Sequence, residues 1–289
     1  MPIFAVMDNN TTHRIMRIDT DKKTDEKLIG IFKEQHAYFE SHYDEPIEFY
    51  AGYKPSYSEH LYLKDFTESD DLIDAVRRNT GIPVWDPKTV PVEHIKALFV
   101  GIEHRANSDK IAIQSFNKGQ ILDISKSLWL SGNVFTMASS TGFNIDDKLV
   151  AVIEKNTIKF KSLIKLRGIF NMDRYFTEAT DADLASFCTN AVFKTDAGFD
   201  MKLIADTVIR TKITLINKSG ILGEQISKLK NAAQKVNFDL KTDISTGIEK
   251  IVMPNTKRDV KALLTFLDED IFVAEVSRTV FKSTSKRPI

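Results

Sequence analysis

The stretch DKLVAVIEKNTIKFKS, residues 147–162, decides the fold class. Two arms rich in apolar and β-branched residues flank the polar segment EKN, and the pattern reads as a hairpin. In the second arm Ile158 and Phe160 alternate with Thr157, Lys159 and Lys161. Successive side chains of a strand point to opposite faces, so one face of this arm is apolar and the other carries two lysines. Such a ribbon needs further strands beside it and a core beneath it.

Toward the N-terminus the chain supplies those strands. IFAVM (3–7) and RIMRID (14–19) flank DNNTTH, a turn rich in Asn and Asp. IEFYAGY (47–53), LYLKDF (61–66), HIKALFVGIEH (94–104) and KIAIQSF (110–116) also have strand character. NKG (117–119) reads as a turn leading into QILDI (120–124). Between the strands, 24–43 reads as a helix because Leu28, Ile31, Phe32, Gln35 and Phe39 follow a three-four spacing. A short helix is expected over 69–79, with Ser69 or Asp70 as N-cap. Pro83, Pro87 and Pro91 punctuate the loop before the middle of the chain, and mark a boundary between regions 1–90 and 91–289 that can still pack as one unit.

Beyond residue 162 the pattern turns helical. Helices are expected over 163–176, 181–193 (capped by Thr180 or Asp181), 223–240 and 255–267. The segment 201–216 places Ile204, Val208 and Leu215 near one face, but its β-branched end also suits a strand. In 223–240, Ile226, Leu229, Ala233, Val236 and Leu240 align inward. In the last helix Thr256 and Asp259 approach a capping box, and Val260, Leu263, Leu264 and Leu267 form the apolar stripe. The fold class is therefore α+β: a strand-rich N-terminal part with a mixed sheet, and a helix-rich C-terminal part.

Chemistry leaves few marks. The single cysteine, Cys188, excludes an intramolecular disulfide, fits a reducing compartment, and sits in an apolar run as a small core residue would. The start of the chain has no signal-peptide pattern, and its longest apolar runs are too short to span a bilayer, so a cytoplasmic protein without direct membrane insertion is expected. The six histidines, at 13, 36, 42, 60, 94 and 104, show no zinc-site spacing. Gly-x-Ser-x-Gly, the P-loop and the dinucleotide glycine pattern are absent, and no cofactor is expected. KSGILGEQ (218–225) puts two glycines before a helix, which reads as a helix-ending turn rather than a phosphate loop. One acidic constellation is compatible with a metal-dependent nuclease: Asp239 and Lys241, with Glu224 upstream as a second ligand.

Charge is more informative than motifs. The totals balance at 40 basic and 40 acidic residues, but residues 1–100 carry 12 basic against 18 acidic and residues 201–289 carry 16 against 10. A basic end favours anionic partners. The candidate nucleic-acid contacts are Lys155, Lys159 and Lys161 on the hairpin; Arg210, Lys212 and Lys218; Lys228 and Lys235; Lys257, Arg258 and Lys261; and Lys282, Lys286 and Arg287. Lys257, Arg258 and Lys261 crowd a helix start, where positive charge opposes the helix dipole unless an anion compensates. Scattered bases of this kind give affinity for phosphates without sequence preference. A third reading is a pure interaction module, whose acidic N-terminal part recognises a partner while the basic end is merely solvated.

FNKGQILDI (116–124) leads through GFNIDDKLVAVIEKNTIKFKS (142–162) to IFNMDRYF (169–176), and the chain closes with a helix, FLDEDIFVAEVSRTVFKSTSKRPI (266–289). This order resembles the KwaB family, the soluble subunit of the Kiwa anti-phage defence system of bacteria. The resemblance covers roughly residues 95–289, and the ending Ser285-Lys286-Arg287-Pro288-Ile289 looks like the family terminus. It implies a cytoplasmic homodimer that binds DNA with little sequence preference and docks onto a membrane-embedded KwaA-like partner. It transfers no catalytic residue.

Overall fold

The computed structural model describes residues 2–103, 109–122, 127–137, 142–245, 247–283 and 285–287. His104, Asp123, Ile124, Pro288 and Ile289, which the sequence reading included in strands or in the terminus, lie outside these. The chain forms two compact units. The first holds the chain up to Phe49 and Pro55–Met172; the second holds Tyr50–Lys54 and the chain from Asp173 onward.

The first unit contains β1 (Ile3–Met7), β2 (Ile15–Ile18), α1 (Lys22–His42), β3 (Glu45–Glu48), β4 (Glu59–Leu63), α2 (Ser69–Arg77), β5 (Ile95–Gly101) and β6 (Lys110–Ser115). It continues through β7 (Ile121–Leu122), β8 (Leu128–Ser131), β9 (Val134–Met137), β10 (Gly142–Phe143), β11 (Ala151–Glu154), β12 (Thr157–Phe160) and the short α3 (Leu163–Arg167). Eight strands form one mixed sheet in the order β2-β1-β5-β6-β11-β12-β4-β3. All neighbours are antiparallel except β3 and β4. The units part at Met172, not at the proline loop, because β1 before that loop pairs with β5 after it.

One row crosses six strands: Phe4, Phe99, Ile113, Ala151, Phe160 and Leu61 are successive partners. All are buried, and Phe4 and Phe99 stack at 5.2 Å. Fully burying each large member contributes about 1.5–3 kcal/mol. The hairpin read from 147–162 is β11–β12, and its apolar pair, Ile158 and Phe160, is fully buried.

The opposite sheet face is partly polar. Its apolar part includes Ile3, Ala5, Leu98 and Val100, covered by Phe32 of α1. Gln114, also fully buried, is satisfied by donating to Gln35 Oε1 at 2.6 Å and to the Asp146 carbonyl at 2.9 Å, while accepting from the Asp146 N–H. α1 accordingly buries only Phe32 and Phe39, and Ile31 of the expected stripe is exposed. The Asp21 carboxylate caps α1 by accepting from the Thr24 N–H at 3.0 Å. α2 starts after Glu68 without a side-chain cap; the Ser69 hydroxyl instead donates to the Phe66 carbonyl.

In the second unit lie α4 (Asp181–Cys188), β13 (Phe193–Lys194), α5 (Thr207–Ser219), α6 (Ile226–Lys235), β14 (Thr242–Asp243), β15 (Lys250–Val252), α7 (Lys257–Leu267), β16 (Ile271–Val273) and β17 (Val280–Lys282). Its core gathers Leu184, Phe187, Ile209, Ile213, Ile216, Leu229, Ile251, Val260, Leu263 and Leu264 among others. Thr180 and Thr256 cap α4 and α7 as expected. Segment 201–216 resolves as a helix from Thr207, capped by Asp206, and its buried stripe is Ile209, Ile213, Leu215 and Ile216; Val208 faces outward. Several expectations are corrected: the strand expected over 47–53 is β3, which ends at Glu48, and the helix expected over 223–240 spans only Ile226–Lys235. The helix over 163–176 stops at Arg167, before Gly168. The 181–193 helix stops at Cys188, so that Phe193 can pair in parallel with Ile251. Among the described residues the closing segment is not helical after Leu267, because β16 and β17 form a hairpin.

Candidate functional site

The candidate contacts can be followed one by one. On the β11–β12 hairpin Lys155 is exposed at the turn. Lys159 bonds Glu40 at 3.2 Å and Glu154 at 3.3 Å, and Lys110 reaches the same Glu154 at 3.3 Å. The ladder of alternating charges neutralises itself. The Lys161 ammonium donates to the carbonyls of Ser56, Tyr57 and Glu59 and lies 4.6 Å above the Tyr43 ring. Burial pushes it below the usual lysine range. It is a staple for the loop before β4 rather than a free phosphate contact.

In the second unit Arg210 holds Asp181 at 2.7 Å and the Ala179 carbonyl at 2.8 Å, fastening α5 to the start of α4. Lys228 pairs with Glu224 one helical turn away. Lys257 and Lys261 both reach Asp206, at 3.1 and 2.6 Å. The anion that their crowding at the start of α7 requires is therefore internal. Burial acts to raise the Asp206 carboxyl, but bonds from Lys261, the Ile209 N–H and Lys257 outweigh it and hold it far below the usual carboxylate range. Lys235, Arg258 and Lys282 are exposed and form no ion pair among the described residues.

Lys212 and Lys286 meet at two carboxylates. Lys212 donates to Asp268 at 2.8 Å and to Asp270, and Lys286 reaches Asp270 at 2.9 Å. Asp270 is only 2% exposed. Next to Lys286, the Ser285 hydroxyl accepts from the Lys54 N–H and donates to the Lys54 carbonyl, both at 2.9 Å. Arg287 lies 5.7 Å from the Tyr53 ring centroid. Residues 285–287 are thus docked on segment 50–54 and on the end of α7.

This docking makes a cleft where three nominated bases converge. Lys218, Lys286 and Arg287 line a space of about 490 Å³ with Tyr50, Leu215, Asp268 and Glu269. α5 delivers Lys218 from its last turn, just before Gly220 ends the helix at φ 76°. Lys218 rests 5.6 Å from the Phe176 ring centroid, and neither it nor Arg287 has an ion-pair partner among the described residues. Asp268 is committed to Lys212 and Lys286, leaving Glu269 as the other carboxylate in the lining. Burial, then the Asp268 charge, push the Tyr50 hydroxyl above the usual range, so it stays protonated and able to donate. The arrangement offers two uncommitted cations and a hydroxyl donor to an anion.

The nuclease constellation is not assembled. Asp239 and Lys241 line a cleft of about 440 Å³ beside the start of α7, with Asp196 and Asp259, whereas Glu224 lines a different cleft and is paired with Lys228. Among the described residues no three His, Cys, Asp or Glu side chains are grouped to hold a metal ion. Burial, then Asp200, raises the Cys188 thiol.

Sequence reasoning missed Tyr50, Tyr53 and the acidic pair Asp268 and Asp270. Only the acidic run at 268–270 beside the basic ending signalled them. Comparison with protein-family models, curated proteins and solved structures finds no match to this chain.

Proposed function

We propose that the chain is a non-catalytic anti-phage defence protein that holds the phosphate backbone of DNA with little sequence preference. In this reading it works in the cytoplasm beside a membrane-embedded, KwaA-like partner. The observation that carries the binding is the convergence of Lys218, Lys286 and Arg287 on one cleft. The defence role and the partner rest on the resemblance alone. Among the described residues no helix is long and apolar enough to cross a membrane.

Duplex binding followed by fluorescence anisotropy across a salt series tests this. Lys218→Glu with Arg287→Glu is expected to weaken binding about tenfold or more and to flatten the log–log salt slope by about 2, since each phosphate contact contributes about 0.9. Lys235→Glu with Arg258→Glu, outside the cleft, is the control. An equal loss in both pairs, or none in the first, defeats the cleft as the DNA site.

A second reading, self-association, has its own observation. β8 and β9 form a two-stranded ribbon apart from the large sheet, and 127–137 contain no charged residue. Leu128 opposes Met137 and Leu130 opposes Phe135, so all four share one face, and each is more than half exposed. An uncharged apolar face is an association surface, and we assign it to a second copy of this chain. Leu130→Ser with Phe135→Ser is expected to convert a dimer into a monomer in sedimentation; a parent chain that sediments as a monomer removes this reading.

A further inference from the structure

The first unit carries a cavity that the DNA reading does not use. It measures about 320 Å³ and is lined by Glu34, Gln35, Tyr38, Phe39 and Tyr43 from α1 and its end, and by Asp147, Lys148 and Leu149 from the approach to β11. The aromatic walls meet at right angles. Tyr38 and Tyr43 are 6.4 Å apart at 87°, and Phe39 and Tyr43 are 5.1 Å apart at 81°. His42 stacks on Tyr38 at 3.9 Å and braces that ring. Tyr38 is 42% exposed, a large aromatic surface for a helix to leave open to water.

Two features select the ligand. Aromatic faces carry negative potential and attract cations, most strongly where water is excluded. The lining also holds two carboxylates, Glu34 and Asp147, against one ammonium, Lys148. Gln35 is committed to Asp146 and Gln114 and does not compete for the ligand. The same chemistry is already in use beside the cavity, since the Lys161 ammonium sits over Tyr43 without lining it. An anionic ligand would meet the carboxylates, and a purely apolar one would desolvate them without compensation.

We infer that this cavity binds an organic ammonium group, held between the rings of Tyr38, Tyr43 and Phe39 and balanced by Glu34 and Asp147. A free quaternary amine and a lysine side chain of a partner protein present the same chemistry. The site lies in the first unit, so it stands or falls separately from the DNA cleft.

Calorimetric titration of the full chain with choline, with its neutral isostere 3,3-dimethylbutan-1-ol and with Nα-acetyl-lysine amide tests the inference. At least one of the two cations is expected to bind about tenfold or more tighter than the neutral isostere, which corresponds to about 1.4 kcal/mol. Preference for choline assigns a free quaternary amine, and preference for the lysine amide assigns a side chain. Tyr38→Leu is expected to weaken the preferred cation about tenfold, Tyr38→Phe to retain it, and Glu34→Gln to weaken it about threefold. Both altered side chains are exposed, and matching thermal melts check that the fold is kept. Equal binding of cation and isostere, no binding of either cation, or full affinity in Tyr38→Leu overturns the inference.

Discussion

Asp270→Ala is expected to destabilise the second unit by about 3–5 kcal/mol, the cost of leaving a buried ionic partner uncompensated. Asp270 is almost fully buried and takes ammonium groups from both Lys212 and Lys286. Burial works against charge on Lys212, but its bonds to Asp268 and Asp270 more than offset this and raise it above the usual lysine range. The sign follows. A raised lysine contributes fully below its unfolded value, so the pair is intact at neutral pH and lost only as pH climbs through the raised value. Without Asp270, two ammonium groups face Asp268 alone. The measurement is the urea midpoint, with an unchanged slope showing that compactness is retained. A midpoint equal to that of the parent would show that Asp268 suffices for both lysines. Asp270→Ala should also weaken DNA binding, because Lys286, which lines the cleft, loses the carboxylate that holds it in place.

Phe99→Ala is the second large effect, about 3–5 kcal/mol and confined to the first unit. Phe99 is fully buried on β5, between Phe4 on β1 and Ile113 on β6. Truncation removes the ring stacked on Phe4 and leaves a cavity that strands bonded on both sides cannot collapse to fill. Denaturation of the variant, followed by hydrogen exchange of β5 and β6 amides, checks this. A loss below about 1 kcal/mol would mean that the sheet repacks around the gap.

Local signals accounted for most of the elements. Alternation in 157–160 marked a strand, and Thr256 with Asp259 marked the start of α7, because strand periodicity and helix capping are written within a few residues. The ribbon of β8 and β9 was passed over although Ser131-Gly132-Asn133 is a turn signal, because its apolar residues face water and imitate no core pattern. The polar side of α1 was also hidden. Gln114 donates to Gln35 across 79 residues of chain and both bond the Asp146 backbone, and no local spacing announces such a pair. The site suffered most. Seven of the fourteen nominated bases have carboxylate partners in the fold: Lys159, Arg210, Lys212, Lys228, Lys257, Lys261 and Lys286. Charge in a sequence counts cations, whereas availability depends on carboxylates that arrive from distant segments, as Asp206 does for Lys257 and Lys261.

The row of partners that crosses the sheet also bears on synthesis. β1 waits for β5, and β4 waits for β12, so each emerges from the ribosome long before its second neighbour exists. At about 5–20 residues per second, Leu61 precedes Phe160 by roughly 5–20 s. For that interval β1 has only β2 beside it and β4 only β3, so each keeps one open edge. The large sheet therefore closes only once β12 has emerged, and until then the open edges of β1 and β4 are templates for pairing with another chain.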